Sequence, residues 1–143
     1  MTGTTRLSSA VVLITVLTSL LAGMGSGLAR LGWHMDSLSS NWILIHGPLM
    51  ISGFLGTLIC MERAVALSSR HPSAISVPIV NALGAFSLLL MPTSVVPKLI
   101  LTTGSIGLLL LFAVMLRLHR SKDMIVMSLG TLCWVVGNTL WLL

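Results

Sequence analysis

The side chain most out of keeping with its surroundings is His46, in the stretch IHGPLMISGFLGTLICMERAVAL at 45–67. An imidazole in an apolar run can stay neutral and tie helices together through one hydrogen bond. It can also ligate haem or a metal, a role the ring often fills. On a helix, His46, Met50, Gly53, Thr57 and Cys60 share one stripe, at spacings of 4, 3, 4 and 3. The stripe is soft, small or polar from end to end, so it is expected to face other helices rather than lipid. Met50, one turn from His46, is the second candidate cofactor contact. Pro48 has no N–H to give the carbonyl of Leu44, so a kink or a bound polar group is expected beside His46.

The elements that hold these residues follow from the charges. Hydrophobic residues make up 55% of the 143 and charged residues 8%, against about 25% charged in soluble domains. So few charges cannot cover a wet surface, which makes the chain an integral membrane protein. Charged residues divide it into uncharged runs of 23 (after Arg6), 25 (after Asp36), 27 (after Arg70), 18 (after Lys98) and 20 (after Asp123). A spanning helix needs roughly 20 apolar residues. The chain therefore reads as all-α, one transmembrane domain over 1–143, with five helices near 8–29, 41–66, 74–92, 96–118 and 123–143. The third holds Pro78 and is expected to tilt or kink. The first is longer than the apolar region of a signal peptide and reads as a retained helix. Long apolar runs without alternation argue against a barrel.

Orientation follows from the Lys and Arg count. With five spans, Arg6, Arg63, Arg70, Arg117, Arg120 and Lys122 share one side, and Arg30 and Lys98 the other. This predicts a cytoplasmic N-terminus and a periplasmic C-terminus in the inner membrane, with Trp33, Trp42 and Trp141 at the outer interface. The net charge of +5 is dispersed, which excludes a nucleic-acid partner. The partners expected are the lipid bilayer and, through a GxxxG at Gly23 and Gly27, close helix packing inside one chain or between copies.

Aligned by depth, Met24–Ser26, Ser87, Thr102–Ser105 and Asn138 with Thr139 fall near the level of His46. Asn138 is the best hydrogen-bond partner for it. The other histidines read as interfacial: His34 in the outer loop, His71 and His119 among cytoplasmic positive charges. Glu62 and Arg63 mark the inner boundary and are expected to pair with neighbours or with Arg117. Cys60 and Cys133 read as small buried residues. No phosphate loop, HExxH or Ser/His/Asp arrangement is present.

HGPLMISGFLGTLICMERAVAL, with GLARLGW at 27–33, TGSIGLLLLFAVMLRLHR at 103–120 and MSLGTLCWVVGNTLWLL at 127–143, resembles uncharacterised polytopic bacterial inner-membrane proteins whose second helix carries the first of these motifs. A fainter likeness is to the second helix of haem–copper oxidase catalytic subunits and to NnrS-like haem–copper proteins, where an H-G-x-x-M start supplies a haem ligand. That likeness implies the role for His46 alone, with the ligand set completed by a symmetry-related His46, a methionine or a partner subunit. The function expected is then a haem- or metal-binding subunit linked to respiratory or nitrogen-oxide chemistry. The alternatives are a structural or assembly subunit, or a half-transporter acting as a homodimer or within a larger membrane complex.

Overall fold

Five helices in the computed structural model are long and apolar enough to cross a membrane: Ser9–Arg30, His46–Leu67, Pro72–Leu90, Val95–Leu118 and Lys122–Leu142. The structure describes residues 3–33 and 40–143, with side chains for 9–33 and 41–143. His34 therefore lies outside the described residues.

Local signals explain the boundaries. The first span belongs to helix α1 (Gly3–Arg30) and stops at a Schellman closure, with Trp33 N–H on Leu28 O and Gly32 N–H on Ala29 O. Gly32 supplies the φ of +87° that this turn needs. Ser94 and Ser121 cap the fourth and fifth spans, accepting from the N–H groups of Val96 and Met124 at 3.2 Å.

Pro78 does not break the third span. It lies in the first turn of the helix Ser76–Leu90, where an N–H has no intrahelical partner to lose. The second span is the irregular one. A short helix Ser40–Leu44 ends at Ile45 (φ −92°, ψ 6°), one turn Gly47-centred (His46–Pro48) follows, then a π-helical stretch Leu49–Gly56, and regular helix resumes at Thr57–Leu67. The break comes where Pro48 withholds a donor from Leu44. A π-helical stretch of this kind recurs at functional sites in other helices.

Successive spans run in opposite directions. Arg70 and His119 lie together at one end of the bundle, and Lys98 meets Trp141 at the other. The second span packs against the first, third and fourth; the fifth packs along the fourth and touches the second through a few side chains. Near the His119 end, Cys60, Ala64, Leu67, Leu108, Leu111 and Phe112 form one buried cluster. Near the Trp141 end, Ile45, Leu49, Ala85, Leu88 and Leu101 form another.

Candidate functional site

Most hydroxyls in the bundle never leave their own helix. Thr15, Ser26, Ser105 and Thr131 each donate to a carbonyl three or four residues earlier, which satisfies them without a partner helix. Polar groups that cross between spans therefore stand out; besides Lys98 Nζ, which donates to Trp141 O at 3.1 Å at the end of the bundle, they form two sets.

The first set centres on Asn81 of the third span, fully buried. Its Nδ2 donates to Ser52 O and to Thr57 Oγ1, both at 2.8 Å. Thr57 Oγ1 in turn donates to Ser52 O at 3.2 Å. A carbonyl can only accept, so the amide orientation of Asn81 is fixed. Its Oδ1 is buried without a hydrogen-bond partner and lies against Gly104, where any side chain would collide with it. Around Ser52 the network continues more loosely. Trp134 Nε1 donates to Ser52 Oγ at 3.2 Å, and Ser52 Oγ donates to Asn138 Oδ1 at 3.3 Å. Asn138 Nδ2 reaches Leu101 O at 3.5 Å, the outer limit for such a bond.

The second set is the seam between the first and second spans. His46 Nδ1 donates to Gly23 O at 2.7 Å, and Ser26 Oγ donates to the same carbonyl at 2.9 Å. Gly27 leaves room for the imidazole and Gly23 for the Met50 sulfur; a Cβ at either position would meet them at 2.9 and 2.6 Å. The GxxxG thus works within the chain, receiving His46 and Met50 as knobs.

This corrects the expected pairing. His46 bonds to Gly23, and Asn138 bonds to Ser52 and Leu101 instead. The depth alignment treated the second helix as straight, and the break at Ile45 with the π-helical stretch below it removes that basis. The stripe of His46, Met50, Gly53, Thr57 and Cys60 does face other helices. Glu62 and Arg63 pair with each other, Nη2 to Oε1 at 3.0 Å, rather than with Arg117. Cys60 is buried as expected, and Cys133 is exposed. Among the described residues, no three of His, Cys, Asp and Glu gather as a metal-binding group.

A concavity lies on the opposite flank of the second span. A groove of about 1000 Å³ runs between the second and fifth spans. Pro48, Ile51 and Leu55 line one wall, Gly130, Trp134 and Gly137 the other, and Leu108 and Phe112 of the fourth span lie between them. Ser52 and Asn138 also line it, so the loose half of the polar network is exposed to this space. His46 does not line it.

Over residues 6–143 the chain matches the family described as a domain of unknown function, DUF8744. It belongs to that family. No curated protein and no solved structure matches it.

Sequence reasoning missed Asn81 and Ser52, and reached Gly104 only as part of Thr102–Ser105 near the level of His46. Asn81 had a signal, as the one amide within the apolar run of the third span. Ser52 had none, because its partners depend on where the π-helical stretch sets both its carbonyl and its hydroxyl.

Proposed function

We propose that the protein is a multi-pass subunit of the bacterial inner membrane that takes the apolar chain of a lipid-like molecule, sideways from the bilayer, into the groove between its second and fifth spans. The six-to-two Lys and Arg asymmetry supports a cytoplasmic N-terminus and a periplasmic C-terminus. One observation carries the binding role: a groove of about 1000 Å³, mostly apolar, with a few polar groups converging at Ser52, Trp134 and Asn138. Sites for small amphiphiles have this size and this mixture, and they occur between the helices of bundles.

The test fills the groove. Gly130 and Gly137 line the groove and have open space where a Cβ would stand, so in Gly130→Leu with Gly137→Leu each added side chain starts without a backbone-level clash. Native mass spectrometry of protein purified in mild detergent should show bound lipid on the wild type and its loss in the double variant, at unchanged thermal stability. Equal lipid retention in both sinks the reading.

A second reading keeps His46 as a haem or metal ligand, and one observation favours it. Donation from Nδ1 to Gly23 O leaves, in the neutral ring, the lone pair on Nε2, which is how a backbone carbonyl orients a ligating histidine. Met50 is one turn away on the same seam. A second strong ligand would have to come from another copy or subunit. The visible spectrum after haem-replete expression tests this: a Soret band lost on His46→Ala supports it, and no Soret band on the wild type rejects it.

A further inference from the structure

The groove between the second and fifth spans runs most of the length of the bundle. Leu44 and Glu62, both in its lining, are eighteen residues apart, roughly 27 Å along a helix axis. The hydrocarbon core of a bilayer is about 30 Å thick, so the acyl chain of one lipid fills about half the groove. Midway along, Trp134 reaches across from the fifth span. Its Nε1 donates to Ser52 Oγ at 3.2 Å, and its ring lies where a side chain on Gly56 would stand. The indole thus divides the groove into two halves, each about one leaflet deep and each with its own mouth.

The two mouths differ in charge. At the His119 end the lining holds Glu62 and Arg63, which are paired with each other at 3.0 Å. The Arg63 side chain is 16% exposed and that of Glu62 66%, and the guanidinium lies over the Phe112 ring. What that mouth offers an entering group is therefore a carboxylate. At the Trp141 end the lining holds Arg30, which is exposed and makes no ion pair among the described residues. Lys98 adds a second positive charge behind this mouth, its Nζ 5.2 Å from the centroid of the Trp141 ring. The described carboxylate side chains, Glu62 and Asp123, both belong to the opposite end; Asp36 lies outside the described residues. Gly47 lines the Arg30 mouth with open space where a Cβ would stand, so the entrance is unobstructed there.

We infer that the groove takes its phospholipid from the leaflet at the Trp141 end, with the phosphate on Arg30 and an acyl chain running past Pro48, Ile51 and Gly137 toward Trp134. A phosphate meets an unpaired cation at that mouth and an exposed carboxylate at the other, so its charge selects the end. Phosphate is common to all phospholipids, and Arg30 therefore sets the direction of entry and not the headgroup. With the N-terminus cytoplasmic, as proposed above, the supplying leaflet is the periplasmic one. This assignment rests on the groove reading above.

The full-length protein, exchanged into an equimolar mixture of phosphatidylglycerol and diacylglycerol with identical chains, is examined by native mass spectrometry. The wild type should retain phosphatidylglycerol over diacylglycerol by roughly fivefold, about what one exposed charge contact supplies. Arg30→Gln, at an exposed position, should lose that preference, and Glu62→Gln should keep it. Gly137→Leu, in the Arg30 half, should lower retention of both lipids, whereas Gly130→Leu, in the other half, should leave it unchanged. No preference on the wild type, a preference that survives Arg30→Gln or falls with Glu62→Gln, or a loss in Gly130→Leu as large as in Gly137→Leu overturns the choice of end while the groove reading stands. No retained lipid on the wild type, including a lipid-free dimer with a second copy in the groove, overturns both.

Discussion

The second span is held on one flank and barely held on the other. Toward the first and third spans its contacts are short and enclosed: His46 to Gly23 at 2.7 Å, and Asn81 to Ser52 O and Thr57 at 2.8 Å. Glycines 27 and 104 leave the room that His46 and Asn81 occupy. Toward the fifth span the bonds lengthen to 3.2 and 3.3 Å, and a groove opens. The fourth span buries eight residues, from Pro97 to Phe112, whereas the fifth buries only Thr131 and Asn138. The lesson is about solvent. In a bilayer, apolar surface gives helices no reason to associate, because lipid is as apolar as leucine. Close packing on small residues and short polar bonds must do it, and where both are missing the helices stay apart.

The tight flank is most easily disrupted at Gly104. Gly104→Leu should drive Asn81 off both of its bonds and destabilise the protein by about 3 kcal/mol, read by thermal unfolding in detergent. Gly137→Leu, on the loose flank, should change the midpoint little; equal effects would erase the distinction. Asn81→Leu should cost about 2 kcal/mol and Asn138→Leu less than about 1, and the reverse order would place the tight flank on the wrong side. His46→Leu should cost about 1 kcal/mol, because Ser26 still donates to Gly23 O when the imidazole is gone. Trp134→Phe removes only the 3.2 Å bond to Ser52, for about 0.5 kcal/mol. Finally, His46→Leu and Asn138→Leu should add to within about 0.5 kcal/mol, as separated sites do. A larger coupling would restore the direct pairing that the depth alignment suggested.

The five apolar helices were legible because charge spacing and bilayer thickness are both one-dimensional. The fourth and fifth were expected near 96–118 and 123–143 and are found at Val95–Leu118 and Lys122–Leu142. Partner choice is three-dimensional and was less legible. Gly23 and Gly27 carried a packing signal, but nothing in their spacing said that an imidazole would fill the gap. Pro48 announced a disturbance near Leu44, yet the π-helical stretch beyond it has no local sequence rule. Asn81 was overlooked because an ionisable group draws more attention than a neutral amide, although the amide makes the better buried connection here. The groove could not be read at all, since it depends on two helices failing to pack.

The polar bonds also carry an order in time. Those of Asn81 and His46 join residues 23 to 29 positions apart in the chain, and those that tie Ser52 to Trp134 and Asn138 join residues 82 and 86 apart. A chain made from its N-terminus can close the near contacts as soon as the third span is synthesised, well before the fifth exists. The fifth helix then meets a surface whose own polar bonds are already closed, and it adds only the longer ones.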